Sequence, residues 1–306
     1  MKTHSPVIRM TVMKLYIINK KMEKLMNKKV LVIGAAGFVG TPITKQLLAD
    51  GFSVRVFVRN TEKARELLGN QVEIFTGDFN LLPDLEKAID GCDGVNISAP
   101  WKSELQIVQN VVAILTRTGR KQVRVSYISG ATALPENRWY PMIDQKLKAE
   151  EVLLKSGINC TILKPNWFMD ALSLFVNNGR ATVFGKQSQP YYFLSLADFA
   201  RVVSRSHQSD DNGTRSYVIN GPEAVLMIDA LQQYCDTAYP GMKAAAMPIW
   251  FGKILAALLK SESMKDFVQM MAYFEKSPRI CTPIDAISQV GAPTQTIADW
   301  LKSQSK

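Results

Sequence analysis

Residues 29–40 read Lys29-Val30-Leu31-Val32-Ile33-Gly34-Ala35-Ala36-Gly37-Phe38-Val39-Gly40, and an amphipathic stretch follows them to Asp50. The run Val30 to Ile33 is uniformly apolar and largely β-branched, the pattern of a strand buried on both faces. Glycines at 34, 37 and 40 then form a turn with few side chains, and the periodic residues beyond predict a helix near 39–50. A helix N-terminus carries unpaired N–H groups and partial positive charge, so a bare turn leading into it lets a pyrophosphate approach the backbone. Such a turn also serves as a plain compact connection, but its place between strand and helix favours a dinucleotide site. Gly34, Ala36, Gly37, Phe38, Val39 and Gly40 are the candidate cradle.

Outward from this stretch, strand and helix patterns alternate to about residue 165. Strands are predicted near 29–33, 53–58, 72–76, 94–98, 122–129 and 158–163, with helices near 39–50, 61–69, 83–90, 102–118 and 141–155. The alternation predicts an α/β fold, a doubly wound Rossmann-type parallel sheet with its ligand at the carboxyl ends of the strands. Beyond Pro165 short strands near 182–184, 191–194 and 215–219 mix with helices, which predicts a smaller mixed C-terminal substrate lobe. The expected division is a basic leader over 1–26, a cofactor-binding domain over 27–180 and the smaller lobe over 181–306, some of it rejoining the main sheet. Pro248 to Leu259, rich in Trp, Phe, Ile and Leu with only Lys253 charged, is expected to be a core or lid helix, a membrane-surface or dimer contact being the alternative.

With 306 residues, 47% of them hydrophobic, the chain can bury a substantial core. Cys92, Cys160, Cys235 and Cys281 are far apart, which argues against a zinc site or disulfide framework and for reduced thiols. His4 and His207 are the only histidines, so no His-based triad is expected. The net charge is +10, yet residues 1–29 hold eight lysines and arginines against one glutamate, a net +7. The remaining chain lacks the clustered basic face of a nucleic-acid binder. No apolar run reaches the length of a membrane span. A cytoplasmic protein is expected; the leader faintly suggests an organellar transit peptide or an upstream translation start, with Met22 and Met26 as later starts.

The end of the second strand selects between nicotinamide cofactors, because an acidic residue there binds the ribose hydroxyls and repels a 2′-phosphate. Here Val58 is followed by Arg59-Asn60. A guanidinium suits a phosphate, so NADP(H) is preferred, with NAD(H) possible if Arg59 is simply solvated. Asp78, in Gly77-Asp78-Phe79, is placed to bind the adenine amino group or to cap a turn. Ser98-Ala99-Pro100 offers small residues where backbone passes close to a cofactor. Trp101 beside them either lines the pocket or fills the core.

These residues resemble the short-chain dehydrogenase/reductase superfamily and, within it, the atypical NmrA-like branch of NAD(P)-binding proteins. The resemblance runs over roughly residues 27–304 and rests on Gly34 to Gly40, Val58-Arg59-Asn60 with Lys63, Gly77-Asp78, Ser129-Gly130-Ala131-Thr132, Lys146 with Glu150, and Ser156-Gly157-Ile158 leading into Thr161 to Pro165. It implies a Rossmann-type domain binding NAD(P)(H) and a variable C-terminal region shaping the substrate cleft. It also implies a catalytic Ser, Tyr and Lys, the last two at i and i+4 on one helix face. Lys146 matches the lysine, where it would hold the nicotinamide ribose or else pair with Glu150 on the helix surface. Four residues before it stands Met142, so the tyrosine is missing. Tyr140 is six residues away, a rotation of about 240°, and precedes Pro141, the expected first helical residue; it reads as a cap-region aromatic near the cleft. Ser129 or Thr132 is the candidate hydroxyl.

Reduction of an ordinary ketone needs a positioned acid, which contributes about 10²- to 10⁴-fold. Quinones, enones and iminium compounds give stabilised products and tolerate its loss. The favoured reading is therefore an NADPH-dependent oxidoreductase with a small-molecule substrate of that kind. Asn166, Trp167 and Phe168 are expected at the cleft with Trp101 and Tyr140. The alternative is a non-catalytic NAD(P)-binding redox sensor or assembly protein with a protein partner. A sugar-nucleotide epimerase fits least well, because it depends more heavily on the tyrosine.

Overall fold

The computed structural model describes residues 28–209, 212–277 and 290–304; the predicted leader with His4, and Cys281, lie outside the described residues. The first half alternates as β1 (Lys29–Ile33), α1 (Gly40–Ala49), β2 (Ser53–Val58), α2 (Thr61–Leu68), β3 (Glu73–Thr76), α3 (Leu82–Ile89), β4 (Gly94–Ile97), α4 (Trp101–Arg117), β5 (Arg124–Ile128), α5 (Pro141–Ser156) and β6 (Cys160–Pro165). There follow β7 (Val176–Asn177), β8 (Arg180–Phe184), β9 (Tyr191–Tyr192), α6 (Leu196–Gln208), β10 (Thr214–Ile219), β11 (Ala224–Val225), α7 (Met227–Ala238), β12 (Ala244–Met247), α8 (Ile249–Leu258), α9 (Glu262–Lys276) and α10 (Ile297–Gln304).

Seven strands form one sheet in the order β10-β6-β5-β4-β1-β2-β3, and every neighbouring pair is parallel. The expected doubly wound α/β sheet is therefore present. The strand order reverses between β1 and β4, and a crevice opens there above the carboxyl ends. Residues of β1 serve the two faces in turn. Val30 and Val32 join one core cluster and Leu31 and Ile33 the other, none more than 1% exposed. Burying each such side chain stabilises the fold by about 1.5–3 kcal/mol.

Helix α1 buries Ile43, Thr44 and Leu47 and lies against α6. Both α6 and β10 come from beyond residue 181, yet they complete the layers of the large sheet. The smaller assembly pairs β8 with β12 in parallel and with β7 in antiparallel register. A third core cluster, with Met169, Phe175, Val183, Phe184, Leu231 and Val268, sits beneath it. Cys92, Cys160 and Cys235 are free and buried.

Helix α8 departs from the expectation of a core or lid helix. Trp250, Ile254 and Leu258 are 64%, 50% and 75% exposed, while the buried positions are Gly252 and Ala256. The reason is close packing through small residues: a Cβ on Gly252 would come within 2.7 Å of the Phe184 ring and 3.0 Å of Val268. With its small residues inward, the helix turns its bulky ones toward solvent.

Candidate functional site

The glycine turn lies at the switch point and is built as tightly as the sequence implies. Gly34 has φ +86°, and a Cβ there would stand 2.4 Å from the Ser98 carbonyl oxygen. A Cβ on Gly40 would stand 2.1 Å from the Gly34 carbonyl oxygen. The Gly37 N–H donates to that same oxygen at 3.0 Å. Val39 occupies the N-cap of α1 without a side-chain cap, so no side chain competes for the N–H groups of the first turn.

A cleft of about 480 Å³ opens on this turn. Its walls are Gly34 to Val39, Arg59, Asn60, Lys63, Phe79 and Ser98-Ala99-Pro100. A helix N-terminus, bare backbone and two cations suit the pyrophosphate and 2′-phosphate of a dinucleotide, so the residues present fit the cofactor. Arg59 is exposed, with its guanidinium 6.0 Å from the centroid of the Phe79 ring. Asn60 caps α2, its Oδ1 accepting from the Lys63 backbone N–H at 2.9 Å, and both residues line the cleft. Ser98 is tied to β1 through Oγ donation to the Ile33 carbonyl at 3.1 Å.

Asp78 does not line this cleft. Its Oδ1 accepts from the backbone and side-chain N–H groups of Asn80 at 2.9 and 2.8 Å, closing a turn on itself, and Phe79 beside it supplies the wall. Trp101, at the start of α4, also stands outside the cleft, with the Lys102 ammonium 5.5 Å from its ring centroid.

One strand over, the ends of β5 and β6 gather a second set of residues. Register pairs Ile97 with Tyr127, so Ser98 and Ile128 follow side by side. Lys146 Nζ donates to Glu104 Oε2 at 2.9 Å and to the Ile128 carbonyl at 3.2 Å. The expected surface pair of Lys146 with Glu150 is not formed. Glu150 instead accepts from Ser129 Oγ at 2.5 Å and pairs with Lys164 Nζ at 2.7 Å. Two buried carboxylates at different depths divide the two lysines between them. Burial pushes the Glu104 carboxyl above its usual range, and the Lys146 ammonium opposes that rise. The buried Tyr127 hydroxyl faces the Glu104 carboxylate.

Thr132 is buried, its carbonyl accepting from Asn137 Nδ2 at 2.9 Å and from the Tyr273 hydroxyl at 3.2 Å. Tyr140 is the N-cap residue of α5, and Pro141 begins the helix. Its ring stacks on Tyr273 with centroids 4.3 Å apart and planes 11° from parallel. Met142 is half-buried against the same small cluster. Ring contacts continue from Tyr273 to Phe274 and from Phe274 to Trp167, each with centroids 5.0 Å apart. Phe168, next in sequence, reaches Phe38 of the glycine turn at 6.4 Å. Asn166 holds β10, its Nδ2 donating to Asn220 Oδ1 at 3.3 Å.

The sequence over residues 34–209 matches the family described as NAD(P)H-binding. The chain belongs to that NAD(P)H-binding family. An NmrA-like family domain-containing protein of Dictyostelium discoideum is 29% identical over 49% of this chain and 55% of that protein, in keeping with the resemblance of the motifs. Similar members include the NAD(P)H azoreductase of Xenophilus azovorans, 22% identical over 90% of this chain and 98% of that protein. An uncharacterised chloroplastic protein of Arabidopsis thaliana is 34% identical over 47% of this chain, which spans 63% of that protein's length. Among solved structures, the NADPH-dependent quinone oxidoreductase of Escherichia coli complexed with NADPH shares the fold, with TM-score 0.73 and 18% identity over 90% of this chain and 100% of that one.

Glu104, Lys164 and Tyr273 had no place among the sequence-based expectations, and the fold of this NAD(P)H-binding chain brings them to the candidate site. Lys164 had a signal, since it sits in the quoted segment at the end of β6. Tyr273 had none: it meets Thr132 across 141 residues.

Proposed function

We propose that the protein is an NADPH-dependent oxidoreductase that reduces a flat, conjugated acceptor of the quinone, enone or iminium type. One observation carries this reading: the cofactor cleft reaches Ser98 beside the end of β5, where Lys146 donates to the Ile128 carbonyl, and Met142 rather than a tyrosine stands one turn before that lysine. When bound, NADPH supplies hydride. The bare turn at Gly34 and Gly40 admits the pyrophosphate, and Arg59 takes the 2′-phosphate through charge-assisted hydrogen bonds.

Tyr140, half-buried and backed by the buried Tyr273 ring, offers a planar apolar surface, and offset stacking of a flat ring on such a surface adds about 0.5–1.5 kcal/mol beyond area burial. The proton-bearing groups nearby are committed elsewhere. The Ser129 hydroxyl donates to Glu150, and the Lys146 ammonium is held by Glu104. A strongly basic alkoxide would find neither of these two groups free to act as its acid, whereas a stabilised product needs little help. The names of two similar proteins, an azoreductase and a quinone oxidoreductase, support a conjugated acceptor.

The test is NADPH oxidation against a panel of quinones, enones and simple ketones, repeated with Arg59→Ala. Turnover is expected with quinones or enones and absent with ketones, and Arg59→Ala should lower the NADPH-over-NADH preference about tenfold. Tight NADPH binding with no turnover on any member would overturn the proposal.

A further inference from the structure

Helix α8 presents an apolar face that the cofactor site does not use. Trp250, Phe251, Ile254, Leu258 and the following Leu259 are 64%, 40%, 50%, 75% and 60% exposed. The helix is held from behind by Gly252 and Ala256, so this face is fixed outward and is not a frayed end. Exposed apolar contiguity of this kind marks an interaction site.

The charge beside it says which kind. A groove of about 560 Å³ runs along the same helix and is lined by Lys253, Lys260 and Lys265, with Glu262 as its only acid. Glu262 is engaged by Lys265 at 3.2 Å, and no carboxylate among the described residues forms an ion pair with Lys253 or Lys260. Lys253 borders the apolar face on the side of this groove, in line with Ala257 and Lys260. A second copy of the chain docked here by two-fold symmetry would bring Lys253 and Lys260 toward their own equivalents. An anionic layer over an apolar interior suits both features, with tryptophan and phenylalanine at the boundary and lysines at the head groups.

We infer that α8 docks the protein onto the surface of an anionic lipid bilayer, its apolar side chains entering the boundary layer and Lys253 and Lys260 meeting the phosphates. No helix among the described residues is long and apolar enough to cross a membrane, so the contact is peripheral. It is independent of the acceptor assigned above.

The experiment is co-sedimentation of the full chain with vesicles of phosphatidylcholine alone and of phosphatidylcholine with phosphatidylglycerol. Binding to the anionic vesicles is expected, falling as salt is added. Lys253→Glu with Lys260→Glu should weaken it by at least about fivefold per lysine. Trp250→Ser with Leu258→Ser should weaken it about tenfold or more, with an unchanged circular dichroism spectrum because both side chains are exposed. The basic residues 1–29 are a competing source of affinity, and the paired variants separate the two. The inference fails if the wild type does not bind, if binding survives both paired variants, or if the wild type is a dimer that Trp250→Ser with Leu258→Ser separates.

Discussion

Lys146 shows how a single side chain's role depends on what surrounds it. Its position on α5 matches the lysine of the superfamily's Tyr-Lys pair, and that much is readable from the spacing to Ser156-Gly157. Its partner is not readable, because Glu104 comes from α4, 42 residues away. The pair is largely out of water, with side-chain exposures of 13% and 2%, so removing one member leaves an uncompensated charge. Lys146→Met should destabilise the protein by about 3–5 kcal/mol, and combining it with Glu104→Leu should recover most of that loss. Urea unfolding of the two variants checks this; a double variant as unstable as the single one would contradict it. Glu150, by contrast, is a neighbour of Lys146 by helical spacing alone. Its carboxylate faces Ser129 and Lys164, because the tertiary pairing of β5 with β6 outweighs an i,i+4 contact worth about 0.2–0.5 kcal/mol.

At the scale of elements, strands with β-branched apolar runs announce themselves and short alanine-rich ones do not. Val30 to Ile33 and Val54 to Val58 are strands by pattern, whereas Ala244–Met247 joins β8 only through tertiary pairing. Helix α8 reads as a core helix by composition and lies outside in the fold, since Gly252 and Ala256 decide the approach and no hydrophobicity pattern weighs two small residues so heavily. Helix α6 carries a consequence of its burial. His207 is 3% exposed, with Nε2 2.9 Å from Ser126 Oγ, and a Cβ on Gly94 would come within 2.6 Å of its Nδ1. Burial first, then the charges of Arg124 and Lys28, lower its pKa from 6.5 to about 3. Between these values the unfolded chain takes up a proton that the folded chain refuses. His207 therefore favours folding fully above pH 6.5, and this contribution is lost as pH falls toward about 3. The loss is on the order of a few kcal/mol. His207→Gln should flatten the acid side of the stability profile over that window, as urea midpoints at successive pH values would show; an unchanged slope would contradict the assignment.

Across the whole molecule, the fold and most of the candidate cofactor cleft were legible because both rest on local sequence: strand, glycine turn, helix, and Arg59 at the next strand's end, with Asp78 the exception. The substrate half was not. Tyr140 and Trp167 lie near it close to the ends of β5 and β6, but the Tyr273 and Phe274 rings that back them arrive from α9, and long-range packing of that kind leaves no motif. In the proposed reaction a bound nicotinamide cofactor is used chemically at the ends of β5 and β6. The most direct measurement is a single turnover of the full chain loaded with NADPH deuterated at the transferable position and mixed with a quinone. Deuterium is expected in the reduced product, with a primary isotope effect on the transfer step. Tight NADPH binding with no label reaching any quinone or enone would contradict the proposed reaction and would make the cleft a sensor of the cofactor.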